Sequence, residues 1–354
     1  MKILVTGGVG FIGSAVIRAI LDEGLRHTLP VFVKEIKRVI NVDVLTCSAS
    51  EKTLEALDSD KHVFVRADIR DLSLMESVFR EYDPDAVIHL AAESHVDLSI
   101  ARPLDFVETN VVGTCHLLEA ARRHWVRKGC PDTFRFHHVS TDEVFGMLGP
   151  SGRFTEASPY APRNPYSASK AASDHMVQAW HETYGFPVII SNCTNNFGPY
   201  QFPEKLVPVV ISSVLAERKI PVYGTGDQIR DWIFVEDHAA ALLTVLAEGV
   251  VGRRYNIGAE NEVRNIDLIR MICTILDDLR PSDGGGAFER HIVHVADRPG
   301  HDLRYAIDPS RIQNELDWSP STSFSEALIR TVEWYLNNET WWRPLLQPKP
   351  KIAS

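Results

Sequence analysis

Cysteine is scarce and unpatterned: the five residues at 47, 115, 130, 193 and 273 are widely spaced, odd in number and contain no CxxC pair. That distribution supports neither a disulfide framework nor a zinc site, and it reads as reduced, buried, structural thiols. The 14 histidines show no HExxH or other ligand spacing, so no metal is expected. An excess of basic charge is missing too. With 37 Lys and Arg against 47 Asp and Glu the net charge is -10, and no long basic block interrupts it, which argues against a nucleic-acid protein. Any phosphate must therefore be gripped locally. No apolar run approaches the roughly 20 residues of a membrane crossing. The chain goes from one Lys straight into an apolar strand, so no signal peptide is expected and the cytoplasm is the default. No internal repeat is visible. The 354 residues suffice for two lobes, or for one elaborate α/β domain with a large core.

What is present begins at residue 3. The run Ile3, Leu4, Val5 leads into Thr6-Gly7-Gly8-Val9-Gly10-Phe11-Ile12-Gly13 and then into the helical pattern of residues 15–21. Glycines at 7, 10 and 13 allow a tight turn, close approach of backbone to a pyrophosphate, and packing of helix on strand, while the helix start offers free N–H groups to an anion. A glycine triplet alone is weak evidence, but here a strand precedes it and a helix follows. A dinucleotide site also needs an acid at the end of the second strand for the adenosine ribose, and Asp43 closes Val39-Ile40-Asn41-Val42-Asp43. A hydroxyl-binding acid points to NAD rather than NADP.

Strand-like and helix-like stretches then alternate, which predicts a doubly wound (Rossmann) parallel sheet with helices on both faces. Residues 62–67 form a strand leading to Asp68 and Ile69, which either meet the adenine or are a loop acid and a core side chain; a helix follows over Leu72 to Tyr82. Another strand, Ala86 to Ala92, ends in small residues that leave room for a ligand at the sheet edge, and Glu93 to Asp97 follow it. Thr109 and Asn110 open the next helix. The strand 134–139 ends in Ser140-Thr141-Asp142-Glu143, a hydroxyl and two carboxyls where substrates sit in such sheets. Adjacent carboxylates repel, so one could stay protonated as an acid while the other serves as a base; solvated loop charge is the competing reading. Tyr166 and Lys170, four apart, share a helix face, where an ammonium would lower the phenol toward a phenolate base.

After the strand Val188-Ile189-Ile190 the alternation breaks. Asn195 to Pro199 and Phe202 to Leu206 read as loops, and residues 191–354 are expected to build mainly a smaller C-terminal α/β substrate lobe, with some segments returning to the NAD-binding domain of residues 1–190. Arg230 and Arg298 are candidates for a diphosphate grip. Phe324 to Leu336 reads as an amphipathic helix, and Trp341 and Trp342 as core packing.

Taken together, the glycine loop, Thr141-Asp142-Glu143 and Tyr166 to Lys170 closely resemble the extended short-chain dehydrogenase/reductase family, and within it the dTDP-glucose 4,6-dehydratases, over essentially the whole chain. The adjacent Asp-Glu pair is the specific element, since related epimerases normally lack it. The resemblance implies NAD as cofactor, held by Gly7, Gly10, Phe11, Ile12, Gly13, Asp43, Asp68, Ile69, Ala91, Ala92, Thr109, Tyr166 and Lys170. It implies a nucleotide-sugar substrate, dTDP-glucose, near Ser94, Asn195, Asn196, Lys205, Leu206, Arg230, Asn265, Arg298 and His301, and a homodimer. Tyr166, poised by Lys170, would take the 4-hydroxyl proton with Thr141 bonded to the same oxygen; Glu143 would then remove the carbon 5 proton and Asp142 protonate the departing 6-hydroxyl. The chain departs from the family pattern at Val44 to Ser50 and at Leu98, Phe145 and Phe197, so the preferred base stays open. A 4-epimerase, needing only Tyr166, Lys170 and the glycine loop, is the alternative; a non-catalytic NAD-binding regulator is the other.

Overall fold

The computed structural model describes residues 1–22, 29–46, 49–281, 285–297 and 300–346. Its centre is a seven-stranded sheet in the order β10-β6-β5-β4-β1-β2-β3, every pairing parallel. The strands are β1 (Lys2–Thr6), β2 (Arg38–Asp43), β3 (His62–Arg66), β4 (Ala86–His89), β5 (Arg135–Thr141), β6 (Val188–Cys193) and β10 (Arg254–Ile257). Sheets covered on both faces have continuously apolar strands, and Ile3, Leu4 and Val5 have no exposed surface. One face carries the helices Phe11–Leu21, Val235–Glu248 and Ser310–Leu316, whose apolar sides share a core with Ile3, Val5 and Ile88. Leu72–Tyr82, Thr114–Arg127 and Pro165–Tyr184 cover the other face around Leu4, Val87 and Phe136. Strand order reverses between β1 and β4, so a crevice opens there beyond the carboxyl ends of the strands.

A second core gathers Phe197, Trp232, Ile269, Tyr335 and Trp342. It includes a three-stranded sheet of β7 (Asn195–Phe197), β9 (Ile229–Phe234) and β11 (Glu262–Arg264), and the parallel pair β8 (Ile220–Tyr223) and β12 (Ile292–Val295). Trp341 and Trp342 are buried, as core packing requires, and the amphipathic helix spans Phe324–Asn337.

Three local expectations need correction. Asn195 to Phe197 is a strand, because its backbone pairs with β9 some 37 residues on, a partner invisible to local pattern. Leu206 is the opening residue of the helix Leu206–Leu215. Thr109 and Asn110 do not open a helix: the helical path starts at Pro103, whose fixed φ suits a first turn, and passes through a π-helical stretch, Val107–Gly113, into Thr114–Arg127.

Candidate active site

The glycine loop lies at the sheet's reversal point. Gly7 has a φ of 70°, donates its N–H to Val42 O at 2.8 Å, and leaves no room for a side chain, since a Cβ would lie 2.7 Å from Ala91 N. A Cβ on Gly13 would lie 2.2 Å from Gly7 O. The loop is held from the side by Asp43, which accepts the N–H of Val9 at 3.0 Å and of Leu45 at 2.8 Å. Burial raises the Asp43 carboxyl above its ordinary range against the pull of these N–H groups. Gly10, Phe11 and Ile12 form the entry to the following helix, while Ala91 and Ala92 lie in the loop after β4, a strand that ends at His89, short of the expected Ala92, and whose position relative to β1 is fixed by Thr6 Oγ1 against His89 Nδ1 at 2.7 Å. Ile69 is buried, and Asp68 is clasped by the Arg70 guanidinium at 2.7 Å. The cradle thus matches a pyrophosphate and ribose by shape and by donor set: close backbone, free helix N–H groups and one acid at a strand end.

At the end of β5, the Thr141 hydroxyl accepts the Glu143 N–H at 3.3 Å, starting a short 3₁₀ turn, Asp142–Phe145, that buries Asp142 and leaves Glu143 partly exposed. The Asn192 amide fixes Thr141 O at 3.0 Å. Asp142 is 2% exposed, and its carboxyl is held well above the usual range by burial, then by the charges of Glu143 and Asp231. Glu143 is raised by burial as well, opposed by Arg230 and by the Asn164 amide, 3.4 Å from Oε2. Mutual repulsion is therefore the smaller cause, which corrects the emphasis drawn from adjacency alone.

Tyr166 and Lys170 sit on the helix Pro165–Tyr184, begun by an Asn164 capping box with Pro165 at its first position. Lys170 is buried and donates to Val139 O at 2.9 Å, with His138 Nε2 at 3.5 Å. Behind it, His138 lies 3.1 Å from Asp174, which accepts the Tyr160 hydroxyl at 2.5 Å. The expected lowering of the Tyr166 phenol is not found in this arrangement. Burial holds the phenol well above its ordinary value and the Glu143 charge adds to this, while the neighbouring Thr141 hydroxyl works the other way. Lys170 directs its ammonium at a carbonyl instead.

On the substrate side, Lys205 donates to Ser94 O at 3.1 Å, and Asn196 is locked between Thr194 O at 3.0 Å and His238 Nδ1 at 2.8 Å. Arg230 is 7% exposed; its guanidinium donates to Ile229 O and Asp302 O and lies 4.3 Å from the centre of the Tyr305 ring. Asn265 opens the helix Asn265–Leu279, and His301 pairs with Asp297 at 2.6 Å. All the expected residues that are described, Thr109, Asn195 and Leu206 among them, line one cleft of about 910 Å³. Arg298 lies outside the described residues. Sequence reasoning gave no role to Asn164, Glu204, Cys193 or Tyr305, which line the same cleft. Asn-Pro ahead of a helix was a readable cap signal; Tyr305 carries no local signal, its place being set by Arg230 and by a hydroxyl bond to Asp302. Among the described residues no group of three or more His, Cys, Asp or Glu could hold a metal ion.

Comparison with known proteins agrees with this geometry. The family model of GDP-mannose 4,6 dehydratase matches residues 4–331. A dTDP-glucose 4,6-dehydratase of Xanthomonas campestris pv. campestris (strain B100) is 51% identical over 348 residues, spanning 97% of this chain and 95% of its own length. One from Neisseria meningitidis serogroup B (strain MC58) is 52% identical over 351 residues, covering 98% of this chain and 96% of its own. Among solved structures, the dTDP-glucose 4,6-dehydratase DesIV of Streptomyces venezuelae, with NAD and a second ligand bound, superposes with a TM-score of 0.87 at 43% identity, covering 98% of this chain and all of that one.

Proposed function

The chain belongs to the dTDP-glucose 4,6-dehydratase family of the extended short-chain dehydrogenase/reductases, and from that premise we infer how its residues carry out the reaction. It is a hydro-lyase that uses NAD to convert dTDP-glucose to dTDP-4-keto-6-deoxyglucose. The observation that carries the dehydratase reading is the pair Asp142 and Glu143, the first buried and the second partly so, both raised, beside Tyr166 in one cleft. An epimerase has no use for them.

Gly7, Gly10, Gly13 and the helix start at Phe11 and Ile12 hold the pyrophosphate, and Asp43 the adenosine ribose, with Asp68, Ile69, Ala91, Ala92 and Thr109 lining the same trough. NAD, when bound, accepts hydride from carbon 4 and returns it at carbon 6, and the charge of its ring favours the phenolate form of a nearby tyrosine. Tyr166 takes the 4-hydroxyl proton while Thr141 hydrogen-bonds that oxygen. The ketone acidifies the carbon 5 proton, which Glu143 removes; Asp142, kept protonated by its burial, gives its proton to the departing 6-hydroxyl. Glu143 then returns the proton to carbon 5. Arg230, Lys205, Asn196 and Asn265 hold the nucleoside diphosphate, with residues 1–190 mainly serving cofactor and 191–354 mainly substrate. The exposed apolar side chains Leu98, Ile100, Leu104, Val107 and Val112 form the homodimer contact, in a cytoplasmic enzyme.

Incubation with NAD and dTDP-glucose is expected to give a product lighter by one water. A product of unchanged mass with carbon 4 inverted would make the protein an epimerase. Parallel turnover of dTDP-, UDP-, CDP- and GDP-linked sugars reads the base preference.

A further inference from the structure

At the sheet's reversal point Thr6 and His89 are register partners, so the parallel pairing of β1 and β4 sets their side chains on the same face. Neither exposes more than 1% of its surface. Cut off from water, the two imidazole nitrogens must find their partners inside the protein. Nδ1 lies 2.7 Å from Thr6 Oγ1, and Nε2 lies 3.0 Å from Thr114 Oγ1.

The hydroxyls at either end decide which nitrogen carries the proton. Thr6 Oγ1 accepts the N–H groups of Leu90 and Ala91, each at 3.2 Å, which fills both its lone pairs and leaves its own proton for Nδ1. Thr114 Oγ1 gives its single proton to Asn110 O at 2.6 Å, so toward His89 it accepts. Both ends require the same neutral tautomer, protonated at Nε2 and bare at Nδ1. Burial agrees with them, holding the imidazole well below its ordinary pKa, with the charges of His138 and Lys170 adding to this.

Each end of this unit leads to a part of the cleft. On one side, Thr6 holds the N–H of Ala91, the backbone atom that a Cβ on Gly7 would approach to 2.7 Å, in the trough assigned to NAD. On the other side, Asn110 Nδ2 donates to Ser169 Oγ at 2.8 Å, and Ser169 Oγ donates to Tyr166 O at 2.7 Å. The two sides meet at one ring. Thr6, His89, Asn110, Thr114 and Ser169 are all buried and none of them lines the cleft, so neither solvent nor ligand competes for these bonds.

Resting on the reading of the cleft given above, we propose that His89 is a positioning residue that holds the NAD trough and the Tyr166 helix in fixed relation to each other. It touches neither cofactor nor substrate. Toward the trough it is an acceptor and toward the helix a donor, and the neutral imidazole is both at once. Hydride transfer depends on that relation, since a misplacement of about 1 Å can cost on the order of a hundredfold in rate.

Substitution separates the two halves of the ring. H89N puts an amide oxygen where Nδ1 stands and keeps the acceptor for Thr6 but offers nothing to Thr114, whereas H89Q reaches Thr114 with its amide N–H and gives up the acceptor for Thr6. In NAD-loaded enzyme, exchange of bound NAD for labelled NAD and kcat at saturating dTDP-glucose are measured beside the melting temperature. H89N is expected to exchange NAD within about twofold of wild type while kcat falls about tenfold or more. H89Q is expected to release NAD about tenfold faster or more, as for a buried hydroxyl left without its acceptor. Equal effects of the two variants on exchange and on kcat, following the melting temperature, would overturn the proposal, and so would wild-type values in both. Should neither fold, T114V takes the place of H89N, with T114S restoring the wild-type kcat; equal kcat in these two overturns the proposal as well. Failure of wild-type enzyme to hold NAD or to release water would instead overturn the reading of the cleft.

Discussion

Replacing Gly13 with Ala tests the cofactor cradle through a single methyl group. The added Cβ would sit 2.2 Å from Gly7 O, 2.9 Å from Gly7 C and 2.9 Å from Gly8 Cα, all backbone atoms. Ordinary contact begins near 3.4 Å, so loop and helix must part by about 1.2 Å (3.4 - 2.2). The loop cannot simply retreat, because Gly7 is tied to Val42 O at 2.8 Å and already abuts the backbone of Ala91. Overpacking of this kind costs roughly 1–3 kcal/mol. If the strain falls on the geometry that receives the pyrophosphate, the NAD dissociation constant rises about 5- to 150-fold, at one decade per 1.4 kcal/mol. Titration of cofactor-free protein with NAD, beside thermal melts with and without NAD, reads both shares. Gly149→Ala is the control, since a Cβ there meets nothing within 4 Å. An unchanged dissociation constant and melting temperature in Gly13→Ala would refute the close-approach argument, and with it the placement of the pyrophosphate.

The other predictions address chemistry, binding and pH. Glu143→Gln should still oxidise carbon 4 but not eliminate, so reduced-nicotinamide absorbance accumulates on the enzyme, whereas Tyr166→Phe should show none; identical spectra without reduced cofactor in both would break the division of roles. Arg230→Ala should raise KM more than it lowers kcat, because diphosphate contacts contribute mainly uniform binding; an unchanged KM would remove Arg230 from the site. Burial lifts the Asp231 carboxyl from 3.8 to about 6, so between those values the folded chain holds more proton than the unfolded one and stability falls as pH rises, by about 3 kcal/mol across the window. Urea unfolding of wild type and Asp231→Asn near pH 4 and pH 7 checks this, and an equal pH dependence in the two would contradict it.

Much of this was legible because the signals are local. The glycine loop, Asp43, Thr141 to Glu143 and the Tyr166–Lys170 pair each rest on spacing within one strand-turn-helix unit, and the cleft brings them together. What escaped depends on distant partners. Asn195 to Phe197 becomes a strand only when β9 pairs with it, and Arg254 to Ile257 joins the large sheet only by pairing with β6. The π-helical stretch at Val107–Gly113 leaves no trace in the apolar pattern, yet it presents the Asn110 amide to Glu93 N at 2.8 Å and to Ser169 Oγ at 2.8 Å, tying the loop after β4 to the Tyr166 helix. His138 and Asp174 lie 36 residues apart (174 - 138) with no local signal to join them, and their pairing is a fact of packing alone.

Adjacency suggested the Asp-Glu pair for the wrong physical reason. Two carboxylates side by side in water perturb each other little, since at 4 Å the interaction is about 1 kcal/mol; desolvation shifts a buried carboxyl far more. The structure supplies that desolvation unequally. The 3₁₀ turn after Thr141 drives Asp142 inward to 2% exposure, where Glu143 and Asp231 add to its rise, whereas Glu143 stays partly exposed and meets the Asn164 amide at 3.4 Å; Arg230 opposes the rise of both. One backbone turn thus separates the pair into a carboxyl suited to stay protonated and one better able to ionise, the division an elimination needs. The consequence reaches beyond the two acids. Asn164 Nδ2 meets Glu143 while Asn164 Oδ1 caps the helix that carries Tyr166, so the base for carbon 5 and the base for the 4-hydroxyl are positioned by one side chain. Shortening Asn164 to Ala would loosen both at once, and the oxidation and elimination steps should slow together.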